Sequence, residues 1–354
     1  MNQRKQDMNK IIFIGPCGGG GIPNNGASAK NFHLLKFLKQ KHYNVCTIDT
    51  EFWKKRPWIL IELFFVILLN PKATFIVATD NMSGYRVLFA LSLLPQRRSV
   101  IYWVIGGSIG NWIKSGIVRV KPYNEVEWFL VEGPKMQKTL SDCGFVNVIC
   151  VPNFKNITYV PKASFKEQNC IKFIFFSRII PAKGCDLILD AVKQINPNYE
   201  EKYSVDFYGP IEDAYREVFL SKVNALANVS YKVFLDLTDA RNYDVLAKYD
   251  IMLFPTFWHG EGFPGVIIDA FVAGLPVIAS DWSLNADIIK DRVTGRIIKA
   301  NDLSSLKDVM AEILVNPAPI AIWADNCRHA AMTYDVSNVL TRTLFEKIGI
   351  YPSI

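Results

Sequence analysis

Two acidic side chains eight residues apart stand out for their setting: Glu261, in the glycine-rich run Trp258-His-Gly-Glu-Gly-Phe-Pro-Gly265, and Asp269, in the apolar segment after it. Helical periodicity over 266–273 puts Asp269 about one turn into a helix. The first N–H groups of a helix have no intrahelical acceptor and favour an anion. With a phosphate there, Glu261 and Asp269 are spaced to grip hydroxyls on either side of it. The second pair is cationic: Arg178 and Lys183 lie five apart in Ser177-Arg-Ile-Ile-Pro-Ala-Lys-Gly184. On a loop at a strand's carboxyl end they can converge on one diphosphate, each charge-assisted bond contributing roughly 1.5–3 kcal/mol. Taken singly, such residues also read as solvated loop cations, a turn glutamate and an aspartate that suits a helix dipole. A third feature is the glycine loop Gly18-Gly-Gly-Gly21, continuing to Gly26. It reads as an anion- or substrate-facing turn, although it lacks the compact G-x-G-x-x-G spacing and a following Gly-Lys-Ser/Thr. Asp49 follows at the end of a strand, where a dinucleotide fold keeps its ribose carboxylate. An NAD-dependent oxidoreductase is therefore a rival reading.

These residues need elements to hold them. Apolar runs at 10–15, 43–48, 74–78, 99–105, 128–131 and 147–151 read as buried strands, with a helix over 27–41 after the glycine loop. The rhythm restarts with strands at 172–176, 204–209, 229–235, 251–254 and 277–279. Helices fall between them at 186–194, 215–226, 243–248 and 266–273. Strands alternating with helices imply parallel, doubly wound sheets, two in succession. The linker is the proline-bracketed stretch 152–161. Ligands of such sheets sit beyond the carboxyl ends of the strands, so two facing sheets would place the site in an interdomain cleft. The stretch 318–350 is helical in pattern.

Composition narrows the classes. The chain has 354 residues, half of them apolar and 21% charged, which fills two cores and excludes a disordered or low-complexity protein. Net charge is +7, but residues 1–160 hold 20 basic and 9 acidic side chains (+11), leaving 20 and 24 (−4) for the rest. No recognised binding motif accompanies the dispersed basic residues, which argues against nucleic acid. Seven cysteines without a CxxC pair fit neither a disulfide framework nor a zinc site and suit a reducing cytosol. The polar opening reads as no signal peptide, with Met8 available as a start. The longest apolar run, 57–69, includes Glu62 and is too short to span a bilayer. It reads as a buried helix of an α/β domain; the rival is a helix resting on an anionic membrane with Lys54, Lys55 and Arg56 at the headgroups.

The run from Phe176 to Gly295 resembles the donor-binding domain of the retaining glycosyltransferases of family four (glycosyl transferases group 1) of the bacterial polysaccharide-assembly type. The matching pieces are Ser-Arg-Ile-Ile-Pro-Ala-Lys-Gly, Tyr-Asp-Ile-Met-Leu-Phe-Pro-Thr, Glu-Gly-Phe, Ala-Gly-Leu-Pro-Val-Ile-Ala-Ser-Asp and Val-Thr-Gly, in the family's order and spacing. The N-terminal half is similar more loosely, through Ile-Gly-Pro…Asn-Gly-Ala-Ser-Ala-Lys. The resemblance implies a GT-B fold, two facing doubly wound Rossmann-like domains with the active site in their cleft. An acceptor-side domain would span 1–155 and a donor-binding domain 156–330, with 331–354 crossing back to the first.

It also implies roles. Arg178 and Lys183 would hold the donor diphosphate and stabilise it as leaving group. Glu261 would contact the donor sugar and Asp269 the nucleotide ribose, as the two acids of a Glu-x7-Glu motif. Backbone around Gly262, Phe263, Gly265 and Val266 would face sugar and phosphate, with Gly26 near the diphosphate from the other domain. Neither cofactor nor metal is implied, because the two cations replace the metal. Three departures matter. The second acid is the shorter Asp269, Pro264 removes one N–H, and Val104-Ile-Gly-Gly-Ser108 stands where the family often has a histidine. His259 is then the best substitute, and Lys30 a further candidate. The implied activity is retaining hexosyl transfer from a nucleotide-diphosphate sugar, UDP-sugar first, to a glycan or lipid-diphosphate-linked acceptor. The setting would be capsule, exopolysaccharide or O-antigen assembly in the cytoplasm, with peripheral contact to the inner membrane. Candidates for that contact are Lys30, Arg56, Arg97, Arg98, Lys114, Arg119 and Lys121. A catalytically silent GT-B binding module is the remaining alternative.

Overall fold

A computed structural model describes residues 10–23, 25–94, 97–161 and 170–352. The chain divides into two units, one running to Asn156 and resuming at Asp335, the other Ile157–Tyr334. Each is built on one parallel six-stranded sheet. Most of the inner strands are nearly continuous apolar runs because helices cover both faces of such a sheet.

In the first unit the strand order is β2-β1-β3-β4-β5-β6, with β1 Lys10–Gly15, β2 Asn44–Asp49, β3 Thr74–Asp80, β4 Ser99–Ile105, β5 Trp128–Val131 and β6 Val148–Cys150. The crossover helices are α1 Gly26–Gln40, α2 Trp58–Leu69, α3 Asn81–Ser92, α4 Ile109–Lys114 and α5 Pro134–Ser141. Helix α1 starts at a capping box: the Ser28 N–H donates to Asn25 Oδ1 (3.0 Å) and the Asn25 N–H to Ser28 Oγ (3.4 Å). Its core joins Ile11, Phe13, Leu34 and Trp103 to Val336, Leu340 and Phe345 from the end of the chain.

The second unit has the order β12-β11-β10-β7-β8-β9. Its strands are β7 Ile171–Phe176, β8 Tyr203–Tyr208, β9 Val229–Lys232, β10 Ile251–Phe254, β11 Val277–Ser280 and β12 Gly295–Ile298. Helices α6 Cys185–Tyr199, α7 Arg216–Asn224, α8 Tyr243–Leu246, α9 Gly265–Val272, α10 Asn285–Ile288, α11 Leu303–Val315 and α12 Pro319–Met332 connect and follow them. Phe173, Phe175, Ile188, Val192, Phe207, Phe219 and Leu253 form the core.

Several expectations need correction. The stretch 318–350 is not continuously helical: α12 ends at Met332, and Asp335 pairs with Lys155 in a single β-bridge before the short helices α13 Val336–Val339 and α14 Arg342–Lys347. Helix α2 is buried on one stripe only, Ile59, Leu63 and Ile67, while its other apolar side chains are exposed. Strand β12 and helix α11 were absent from the sequence reading. Among the described residues no cysteine forms a disulfide.

Candidate active site

The cationic loop begins where β7 ends. Ile179 bonds across to the segment after β8, its N–H donating to Pro210 O (2.9 Å) while its carbonyl accepts from Glu212 N–H (3.1 Å). A single turn over Pro181–Lys183 follows and ends at Gly184, whose φ of 81° lies in the left-handed region. A Cβ at Gly184 would stand 2.3 Å from Pro255 O, so only glycine fits there. The Phe257 N–H donates to Ala182 O (2.9 Å), clamping this turn on the loop after β10. That clamp brings Lys183 to Glu261.

Lys183 Nζ lies 2.5 Å from Glu261 Oε2, both side chains under 8% exposed. Thr256, fully buried, donates its hydroxyl to the same carboxylate oxygen at 3.1 Å. The ammonium also sits 5.0 Å from the ring centroids of Phe254 and Trp258, and the exposed Arg178 guanidinium lies 4.8 Å from that of Trp258. The two cations thus share one indole as a platform. Burial holds the Lys183 pKa below its ordinary value; the Glu261 carboxylate works against that, and the Arg178 charge adds to it. Arg178, Lys183 and Glu261 are therefore one electrostatic group; sequence spacing joins only the two cations, and the ion pair of Lys183 with Glu261, 78 residues on, comes from the fold.

The loop carrying Glu261 is held from behind. The Trp282 indole N–H donates to Trp258 O (2.8 Å), and the Ser283 hydroxyl reaches Glu261 O (2.9 Å) and Gly262 O (3.1 Å). The Ser280 hydroxyl donates to Thr256 O, and Asn285 holds Ser280 O at 3.0 Å. These supports lie at and just past the end of β11, beyond the glycine-rich run, and the signal for Trp282, Ser283 and Asn285 is a polar stretch closing a buried strand. Pro264 caps α9, so Gly265 and Val266 supply its first N–H groups. Phe263 is buried with its ring on Tyr334, 5.5 Å between centroids. Asp269 is buried on α9 and accepts from the Tyr243 hydroxyl at 2.5 Å. Burial first, then Asp269, pushes the Tyr243 hydroxyl well above its ordinary range, so it remains a donor. Sequence reasoning missed Tyr243, which lies 26 residues from its partner. His259 is exposed, its ring 5.4 Å from that of Trp282.

The first unit presents a different picture. Gly26 opens α1, and a Cβ there would meet nothing among the described residues within 4 Å. Lys30 is not a surface cation: it is buried, 2.7 Å from Glu132, with its ammonium 5.6 Å from the Trp103 ring centroid. Arg98 is buried as well, and Lys114 is paired with Asp142 at 3.0 Å. Lys30 and Arg98 thus leave the set of membrane-facing candidates. The glycine loop does not face an anion. Cys17 and Gly19 donate their N–H groups to Asp49 at 2.8 Å each, Glu51 donates to Asp49 at 2.9 Å, and Gly18 donates to Glu51 at 3.3 Å. Burial, then Asp49 and Glu51, pushes the Cys17 thiol up to about 12. A phosphate entering there would meet two carboxylates, and Asp49 is occupied by three N–H groups rather than open to a ribose. The NAD-dependent alternative loses the residue it rested on. Among the described residues no group of three or more His, Cys, Asp or Glu could hold a metal ion.

Comparison with known proteins agrees with this division. Residues 158–330 match the family model of glycosyl transferases group 1. An uncharacterized 41.2 kDa protein in the cps region of Klebsiella pneumoniae is 28% identical over 80% of this chain and 65% of its own length. A UDP-Gal:alpha-D-GlcNAc-diphosphoundecaprenol alpha-1,3-galactosyltransferase of Escherichia coli is 26% identical over 46% of this chain. The chain spans less than two thirds of either relative, 65% and 41%. Among solved structures, HepE from Anabaena in complex with UDP superposes with a TM-score of 0.71 at 17% identity, covering 96% of this chain and 99% of that one. The fold is that of the GT-B glycosyltransferases, and residues 158–330, which hold the Arg178–Lys183–Glu261–Asp269 constellation, match the model of the glycosyl transferases group 1 family.

Proposed function

We propose that the chain transfers a hexose, with retention of anomeric configuration, from a UDP-sugar to a glycan or lipid-diphosphate-linked acceptor in bacterial surface-polysaccharide assembly. The observation that carries this reading is the convergence of Arg178, Lys183 and Glu261 beside the start of α9. Such a group suits a donor whose phosphates are anionic and whose sugar carries hydroxyls. UDP as the donor's nucleotide draws support from the UDP-bound HepE structure and the UDP-Gal transferase among the relatives. The cps-region relative supports the polysaccharide setting.

In this mechanism Arg178 and Lys183 hold the diphosphate and stabilise the negative charge that grows as the sugar–phosphate bond breaks. Burial makes Lys183 effective, because a charge screened from water acts more strongly on its neighbour. An anion reaching Lys183 shares it with Glu261, which in turn accepts from a sugar hydroxyl. The N–H groups of Gly265 and Val266 meet a phosphate oxygen at the helix start, and Asp269, steadied by Tyr243, accepts from the ribose. The acceptor hydroxyl attacks the anomeric carbon on the face the diphosphate leaves and gives its proton to the departing phosphate oxygen, so no side chain serves as nucleophile. Neither cofactor nor metal takes part, and His259 borders the donor. A thermal-shift series with UDP, GDP, ADP, CMP and NAD on wild type and Lys183→Ala tests this. Stabilisation by UDP that is lost in the variant is expected. Stabilisation by NAD alone, indifferent to Lys183, would refute the reading.

A further inference from the structure

Helix α2 is apolar on every side, yet only Ile59, Leu63 and Ile67, spaced four apart, are buried against its own unit. Trp58, Leu60, Ile61, Phe64, Phe65, Leu68 and Leu69 are exposed at 42 to 76%. Glu62 is the one charged residue on the helix. Water-exposed apolar surface of this extent marks an interaction site.

The surroundings are basic. Lys54 and Lys55 are exposed in the turn leading into the helix, and Arg56 there donates to Gly19 O at 3.2 Å. In the same turn the Trp53 ring centroid lies 5.7 Å from the guanidinium of Arg86, which is exposed on α3. Arg86 then joins Tyr85, Phe89 and Arg119 around an open groove of about 390 Å³. Around Arg119 the chain exposes both apolar and basic groups: Ile117, Arg119, Val120 and Lys121. The nearby acid Asp80 is engaged as the N-cap of α3, accepting from Met82 and Ser83 at 3.1 Å each.

We propose that this face docks the protein on an anionic lipid bilayer, with the exposed side of α2 among the acyl chains and the Arg86–Arg119 groove at the lipid phosphates. An apolar helix face rimmed by lysine and arginine, with a tryptophan at its end, matches the layering of a membrane interface. The helix lies in the surface and does not cross it: at 12 residues it is about 18 Å long, against a hydrocarbon core of about 30 Å. Among the described residues no helix is long and apolar enough to cross. A second copy is a poorer occupant, because pairing two such faces would set Lys54, Lys55, Arg86 and Arg119 against their like. The inference deepens the lipid-linked acceptor reading, but its test needs no sugar donor.

The test is sedimentation with vesicles of neutral phosphatidylcholine, alone or with anionic phosphatidylglycerol. Wild type is expected to bind the anionic vesicles and to be released by salt. Lys54→Ala/Lys55→Ala should weaken that binding by about fivefold per charge removed at low salt and leave neutral vesicles unaffected. Phe64→Ser/Phe65→Ser should abolish binding while keeping the thermal unfolding midpoint, since both rings are already in water. Donor-nucleotide shifts should survive in both variants, so a failure here and a failure of the transferase reading are distinguishable. Binding indifferent to Phe64 and Phe65, binding equal on neutral lipid, or no binding with dimerisation through α2 would each overturn the proposal.

Discussion

The Lys183–Glu261 pair yields the most searching test of the site. At 2.5 Å and an effective dielectric of about 20, the gross attraction is about 7 kcal/mol. Burying both charged heads takes back most of that, so the pair's net contribution is small while the cost of halving it is large, about 3–5 kcal/mol. Glu261→Gln leaves the Lys183 ammonium buried beside Arg178 with a neutral amide in place of its counter-charge. Lys183→Met leaves the Glu261 carboxylate to Thr256 alone. Each single variant is therefore expected to lose about 3–5 kcal/mol in urea denaturation at pH 7. The double variant, with no buried charge, should return close to wild type or above it. The sign of the pH dependence is fixed as well. In Glu261→Gln the Lys183 pKa falls further below its unfolded value of 10.5, because burial and Arg178 lower it and the Glu261 carboxylate, the main influence raising it, is gone. Between the two pKa values the unfolded chain binds more protons, so stability rises with pH. The deficit of Glu261→Gln should thus be full below the depressed Lys183 pKa and shrink as pH rises from there towards 10.5. Single variants within about 1 kcal/mol of wild type and additive in the double would refute the reasoning, since well-separated or solvated charges behave so.

Three further outcomes are expected. With the wild type, kcat/KM for the donor should decline on the alkaline side at a pH below the ordinary lysine value of 10.5, because burial depresses Lys183 in the free enzyme; a limb at or above 10.5 would detach Lys183 from donor capture. Tyr243→Phe should raise donor KM by about tenfold, the weight of one hydrogen bond to a charged group, with kcat nearly unchanged. Asp269→Glu in the same background should restore part of the loss, whereas a purely structural tyrosine would show equal defects with both acids. Gly184→Ala should cost more than about 1–3 kcal/mol, since left-handed strain alone accounts for that much and the new methyl also meets Pro255 O; a thermal midpoint within a degree of wild type would refute the clamp.

What the sequence made legible was set by short-range physics. The strands β1, β4, β5 and β10 begin and end where their apolar runs do, because a parallel sheet buried on both faces needs unbroken Ile, Val and Phe. Arg178, Lys183 and Glu261 were legible because each sits on a loop at a strand's carboxyl end, and the topology alone carries those ends to one edge. Helix boundaries were less so: α6 runs on through Pro197 to Tyr199, past the point where its periodicity fades, because Ile195 still has a core to enter.

The misreadings share one cause, a partner distant in sequence. Lys30 counts as one more charge in a basic half until Glu132, 102 residues away, neutralises it. Asp49 reads as a ribose ligand until the N–H groups of the glycine loop close on it. The shorter Asp269 reads as a weakened ligand until Tyr243 is found donating to it. In each case the residue type announced a charge, and the fold decided whether that charge was still available. Lys183 is the opposite case: it too is buried and paired, yet in the proposed function its partner Glu261 takes part in holding the donor. A buried pair of that kind is costly to keep for stability alone, which is why the double variant should fold as well as wild type and still fail to bind a nucleoside diphosphate.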